Sequence, residues 1–146
     1  MTGTAATTTR RDITTETAAA LVRAAIDEAT RIKVRICAVA VDASGLPLAL
    51  LRMNGVNEPM VAFATDKAWT AATMRRGTDA LRQRMEQDPL RLGAANRERL
   101  MLWGGGLPIV IDGEVVGAIG VSGALVDQDV HCAEAALASC GLSSTA

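Results

Sequence analysis

Apolar positions recur along this chain in two rhythms, one helical and one alternating. After Thr14, the residues Ala18, Leu21, Val22, Ala25, Ile26 and Ala29 return every three or four places, which predicts an amphipathic helix over residues 15–31. Thr14 is placed as its N-cap, with Ile13 just ahead as one half of a hydrophobic staple. The next stretch, KVRICAVAV at 33–41, is short and β-rich, and both of its alternating faces are apolar beyond Arg35. That pattern predicts a strand covered on both sides. Asp42-Ala43-Ser44-Gly45 is a turn signal, and a second strand over 46–53 is expected to return antiparallel beside the first. Pro47 has no N–H for a ladder, so it belongs at a strand start or on an edge.

Asn57-Glu58-Pro59 opens a second helix that runs to about Arg76 and stops at Gly77, with Val61, Ala64, Ala68, Ala71 and Ala72 along one face. Thr78 is expected to cap a short helix through Met85, and residues 86–98 to be polar and irregular. Leu100 to Trp103 reads as a short strand. Leu107 to Ile111, a turn at Asp112-Gly113, and Glu114 to Val121 make a hairpin, because Asp-Gly between apolar runs is the strongest short-range signal for one. A last helix is expected over 128–139, with Asp127 as its cap and Gly141 as its stop. The predicted order is α-β-β-α-α-β-β-β-α. It describes an α/β domain of the α+β kind, with antiparallel strand pairs and helices for both sheet faces. Residues 1–12, Thr-rich and polar, read as a disordered lead, and 13–146 as one domain.

Composition narrows the partners. With 49% apolar and 21% charged residues in 146, the chain is an ordinary globular one. A net charge of −1 gives no reason to expect nucleic acid or an anionic membrane as a partner. Trp69, Trp103 and Phe63 are the only aromatic residues, too few for a base-stacking platform. The abundant Ala and Gly suit close backbone approach and large shared surfaces between subunits, and equally suit a GC-rich genome. Cys37, Cys132 and Cys140 are odd in number and irregular in spacing, which does not suggest a disulfide framework. The start, MTGTAATTTRRDITTE, has no apolar run after its charges, and no stretch reaches membrane-spanning length, so a cytoplasmic location is expected.

Candidate chemistry is scattered. Gly104-Gly105-Gly106 lacks the helix that must follow a phosphate loop, because a strand containing Pro108 comes next. Two readings remain: a tight strand connection, or bare backbone at Gly105 and Gly106 that a ligand approaches. Gly117, Gly120 and Gly123 recur every third residue, so they do not share a sheet face. A bulge, or close contact of Gly120 and its neighbours with another backbone, a subunit or a flat ligand, accounts for them. Lys67 shares a helical face with Met60, Phe63, Thr70 and Met74. It is either a snorkelling surface lysine or an anion anchor of depressed pKa. Arg52, Asn54 and Glu58 converge at one end of the sheet or form a solvated turn. Ser122 lies outside any nucleophile elbow and suits a hydroxyl donor to a ligand. His131 is the only histidine, and Asp129, His131 and Cys132 do not share a helix face, so no metal site is expected. One imidazole is still enough for an axial haem ligand.

Five segments in combination, RMNG at 52–55, DKAWTAA at 66–72, GGLPI at 105–109, GEVVGAIGVSG at 113–123 and QD at 128–129, resemble the GlcG/HbpS-like family, which includes the carboxy-terminal domain of PduO proteins. The resemblance spans about residues 16–140. It implies a profilin-like fold with an antiparallel sheet flanked by helices, and homodimers or larger homo-oligomers. It implies haem or tetrapyrrole binding in some members, with links to haem degradation and corrinoid metabolism. GlcG-type members accompany catabolic operons. Secreted haem-binding members carry export signals that this sequence lacks. Asn54 stands where many relatives have an acidic residue, and the position of His131 varies in the family pattern.

The leading expectation is therefore a cytoplasmic, homo-oligomeric small-molecule-binding protein, with haem as the one cofactor implied and no metal site. Its ligand is a tetrapyrrole or a small anionic carbonyl compound, held by residues drawn from Arg52, Asn54, Lys67, Gly105, Gly106, Gly120, Ser122 and His131. The alternative is a cofactor-free isomerase, cyclase or lyase acting on an enolisable substrate. There Glu58 or Asp129 is the general base, and Lys67 or Ser122 holds the developing oxyanion. A third expectation is a structural role for the oligomer alone.

Overall fold

The computed structural model describes residues 5–145. Its elements are α1 (Thr15–Arg31), β1 (Cys37–Asp42), β2 (Pro47–Arg52), α2 (Pro59–Met74), α3 (Thr78–Met85), α4 (Leu90–Ala94), β3 (Gly106–Ile111), β4 (Glu114–Ser122) and α5 (Val126–Ser139). The strands form one antiparallel sheet in the order β2-β1-β4-β3. Helices α1 and α5 cover one face and α2 covers the other. This is the antiparallel sheet flanked by helices that the sequence predicts. Strand β1 is central: Ala38 and Ala40 join the core under α1 and α5, while Cys37, Val39 and Val41 join the core under α2. Strand β2 is an edge, and Pro47 is its first residue.

Local chemistry explains most of the boundaries. Thr14 Oγ1 accepts from the Thr17 N–H at 3.1 Å and caps α1, and Ile13 is buried beside it. The helix ends without a glycine. Lys33 takes the left-handed conformation (φ 62°) and the Val34 N–H returns to the Ala29 carbonyl, so β1 starts at Cys37 rather than at 33. Helix α2 ends the same way, with Arg75 left-handed at φ 57°. Gly77 is therefore not the stop; it is the N-cap of α3. Thr78 is the first residue of α3, and its hydroxyl accepts from the Gly106 N–H at 3.1 Å instead of capping.

Three further expectations fail. Leu100 to Trp103 is not a strand: the Met101 N–H donates to Thr70 Oγ1 (3.1 Å) and that hydroxyl donates to the Arg99 carbonyl (2.9 Å). A side chain of α2 thus takes the place of a strand partner. Helix α5 starts at Val126, and Asp127 does not cap it. Gln128 Oε1 accepts from the Leu125 N–H (3.1 Å) and Asp129 Oδ1 from the Ala124 N–H (3.0 Å). With α4 inside the segment expected to be irregular, the observed order is α-β-β-α-α-α-β-β-α.

The β3–β4 hairpin is as predicted. Asp112 (φ 53°) and Gly113 (φ 75°) are both left-handed, as a type I′ turn requires. The register slips between Ile109 and Val110, and beyond that bulge Gly117 and Gly120 face opposite ways. A Cβ on Gly120 would lie 2.1 Å from the Ala64 carbonyl oxygen and 2.6 Å from the Ala68 nitrogen. The backbone that Gly120 meets is α2 of its own chain. With Ala64, Ala68, Ala71 and Ala72 on its inner side, α2 sinks close onto the sheet. That close approach sets the depth of Lys67.

Of the polar lead, residues 1–4 lie outside the described residues, and 5–12 carry no helix or strand. Asp12 pairs with Arg10 (3.0 Å) and accepts from the Ala43 N–H (2.9 Å), while Arg11 pairs with Asp112 of the hairpin turn (3.1 Å).

Candidate functional site

Lys67 is carried to the sheet on the small-residue side of α2, and its side chain is 0% exposed. A buried ammonium must find acceptors or lose its proton. Nζ donates to the Val121 carbonyl at 2.8 Å and to Asp129 Oδ2 at 3.2 Å. Asp129, on the first turn of α5, is 2% exposed, and its other oxygen holds the Ala124 N–H. An ammonium has three donors. Two are matched here, and the Trp103 ring lies 5.9 Å from the same nitrogen.

The glycines make this burial possible. Gly105 is left-handed (φ 124°), and a Cβ there would lie 2.5 Å from the Val121 oxygen and 2.8 Å from Lys67 Nζ. A Cβ on Gly106 would lie 2.5 Å from the Lys67 carbonyl oxygen. Gly105 also accepts from the Val121 N–H at 2.8 Å. These glycines let the chain cross Lys67 in direct contact; they are not a phosphate cradle.

Burial acts on the two charges in opposite directions. Desolvation pulls the Lys67 ammonium below its usual range, and the neighbouring carboxylate restores part of the loss. Desolvation pushes the Asp129 carboxyl up, against the pull of Lys67, while Asp127 adds a smaller push upward. The pair thus holds one proton whose two possible positions are closer in energy than in water.

Aromatic and aliphatic side chains lie beside the pair, together with the Asp79 carboxyl, which a Cβ on Gly104 would approach to 3.4 Å. Trp103 is 40% exposed, and Phe63 meets it edge-on with ring centroids 5.6 Å apart. A Cβ on Gly104 would touch Val126 and Val130, which brings the start of α5 against the same turn. Leu125 and Val126 are 68% and 44% exposed. Ser122, buried, donates to Met60 Sδ at 3.6 Å. Trp103 over Lys67, Phe63 against Trp103, Val126 against Gly104 and Met60 against Ser122, with Leu125 next to Val126 in the chain, make up an apolar shelf beside the ion pair.

The structure therefore brings Lys67, Asp129, Gly105, Gly106 and Ser122 together and sets the other candidates apart. Gly120 is packed under α2 and faces no opening. Glu58 is exposed ahead of Pro59. Arg52 donates to the Val56 carbonyl at 2.6 Å and, with Asn54, lines a separate groove. His131 points at α1, where Nε2 meets Glu28 Oε1 at 2.6 Å. Hydrogen bonds from Arg31 first and His131 second hold the Glu28 carboxyl down at about 2. Trp103, Thr70 and Thr78 were not read as site residues. Thr70 does share the helical face of Lys67, and Trp103 directly precedes the glycines, which are the two signals available in the sequence.

Comparisons agree with this architecture. The model of a family described as haem degrading protein HbpS-like matches residues 13–138. A 15.0 kDa protein from the dhaT-dhaS intergenic region of Citrobacter freundii is 34% identical over 127 residues, 86% of this chain and 89% of that protein. The crystal structure of Klebsiella pneumoniae protein ORFY superposes with a TM-score of 0.89 at 30% identity, covering 96% of this chain and 98% of that one. The crystal structure of a PduOC:haem complex superposes at 0.85 with 27% identity, covering 92% and 99%. Among the described residues, no helix is long and apolar enough to cross a membrane.

Proposed function

The chain belongs to the HbpS-like family, and from that premise we propose that it binds a flat, acidic small molecule of the tetrapyrrole class on the shelf above Lys67 and Asp129. One observation carries the reading: a fully buried ammonium, with one donor unmatched, lies beneath a half-exposed indole. A macrocycle offers a broad apolar face to Trp103, Phe63, Leu125 and Val126, and the positive charge of Lys67 beneath the indole favours its acidic edge. The PduOC structure, similar over nearly its whole length, is a complex with haem. We further propose that the chain acts as a cytoplasmic homo-oligomer whose subunit contacts leave the shelf open.

The shelf fits the ring and not an iron ion. It contains no imidazole or thiolate, its one sulfur, on Met60, faces Ser122, and the only histidine is tied to Glu28 on α1. The reading therefore rests on recognition of the macrocycle. Its test is to titrate haemin and metal-free protoporphyrin in parallel, following the Soret band. Saturable binding of both, weakened by Trp103→Ala, is expected. No saturable change, or one untouched by Trp103→Ala and Lys67→Ala together, overturns the site.

A second reading has its own support in the opposed shifts of Lys67 and Asp129. In it Asp129 takes a proton from the carbon next to a carbonyl, and Lys67 holds the oxyanion that forms. Deuterium exchange into the methyl group of pyruvate, present in the wild type and absent in Asp129→Asn, would favour it. Equal exchange in the two proteins would remove it.

A further inference from the structure

We propose a second ligand site, distinct from the shelf: the groove bounded by Arg23, Arg35, Arg52 and Asn54 binds the phosphate or carboxylate group of a small organic anion. The groove encloses about 430 Å³ between α1, the end of β2 and the turn that follows it. Ile26, Leu51 and Met53 supply an apolar floor. That volume and lining match a small molecule with one charged end and a short hydrocarbon body.

The cations are placed by identifiable contacts. Arg52 is steadied by its 2.6 Å hydrogen bond to the Val56 carbonyl. The Arg35 guanidinium lies against Gly55, where a Cβ would come within 2.7 Å of its Nη1. Gly55 has φ 85°, so the Asn54–Gly55 turn both suits glycine and leaves room for Arg35. Guanidiniums held in this way lose less freedom when an anion arrives.

Charge balance points to the same ligand. Among the described residues, the one carboxylate within 4.0 Å of any of the three guanidiniums is Asp27, at 3.7 Å from Arg23, with both side chains well exposed. Arg23, Arg35 and Arg52 line one groove, and an oxyanion that bridges two of them offsets their mutual repulsion while accepting charge-assisted hydrogen bonds. Asn54, whose side chain carries an amide donor, lines the same groove. No residue is shared with the Lys67 shelf.

The test is a titration with inorganic phosphate and, separately, with succinate, at ionic strength held constant with sodium chloride. Backbone ¹H–¹⁵N NMR signals of Asn54 and Gly55 report binding. A saturable shift with either probe is expected, and the tighter of the two identifies the anion class. Arg35→Gln should weaken binding about tenfold, as loss of one charge-assisted hydrogen bond does. Arg23→Gln, on the exposed side of α1, should weaken it in the same direction without touching the turn. Arg82→Gln on α3 should leave it unchanged, which separates a specific site from general surface charge. Linear, non-saturating shifts, or equal losses in Arg82→Gln, mean an adventitious ion only and overturn the proposal.

Discussion

The molecule holds positive charge in two contrasting ways. Lys67 is out of water, pinned between a carbonyl and a carboxylate by a chain crossing made of glycines. Arg35 and Arg52 are exposed, steadied by a glycine turn and one carbonyl, with no carboxylate within 4.0 Å among the described residues. A buried charge has to bring its partner with it, because its desolvation is not repaid otherwise. An exposed guanidinium keeps its hydration and can wait for a ligand. The first arrangement is built into the fold, and the second is laid over it.

That contrast breaks most sharply at Asp129. Asp129→Ala strands the Lys67 ammonium, and a loss of about 3–5 kcal/mol in urea unfolding is expected. Lys67→Met combined with Asp129→Leu should regain most of it, since a well-packed apolar pair replaces the ion pair. A small loss in the single variant would mean that Lys67 is neutral in the fold. Gly105→Ala comes next. A left-handed residue whose Cβ meets the Val121 oxygen and Lys67 should cost about 3 kcal/mol, whereas Gly113→Ala, left-handed but in open space, should cost about 1 kcal/mol. Equal losses would show that backbone conformation, not the crossing over Lys67, is what Gly105 provides. Thr78→Val removes the acceptor of the Gly106 N–H and should cost about 1–2 kcal/mol. In the arginine groove the same measurement should barely respond: Arg35→Gln is expected to stay within about 0.5 kcal/mol.

The Glu28 carboxylate, held first by Arg31 and second by His131, supplies a pH-dependent comparison. The Glu28 carboxyl sits near 2 in the fold against an ordinary 4.5, so it binds protons less readily folded than unfolded. Its contribution is therefore present above pH 4.5 and is lost as pH falls toward 2. Acid unfolding followed by circular dichroism should shift to higher pH in Glu28→Gln, by less than any of the core variants at neutral pH. An unchanged acid midpoint would show that the Glu28 carboxylate, with its bonds to Arg31 and His131, carries no stability.

What the sequence disclosed follows how local each signal is. Helix α1 and the β3–β4 hairpin were legible because a 3.6-residue rhythm and an Asp-Gly pair are read within a few positions. Leu100 to Trp103 was misread because its backbone partner is the hydroxyl of Thr70, some thirty residues away on a helix, which no strand pattern records. Helices ending at left-handed Lys33 and Arg75 broke the expectation that glycine marks the stop. At the site, Lys67 was singled out, but its partner lies 62 residues away, so burial and pairing were both hidden. The sequence also placed Arg52, Asn54 and Lys67 in one site. The fold separates them, because Arg52 and Asn54 line the groove beside α1 while Lys67 lies under α2.

The most direct measurement is indole quenching by protoporphyrin in a Trp69→Phe background, where Trp103 is the single remaining tryptophan. Saturable quenching at one porphyrin per chain, weakened by Lys67→Met in a protein that still unfolds cooperatively, is the predicted result. Absence of saturable quenching, or a binding curve indifferent to Lys67→Met, would contradict the assignment of the shelf above Lys67 and Asp129 as the ligand site.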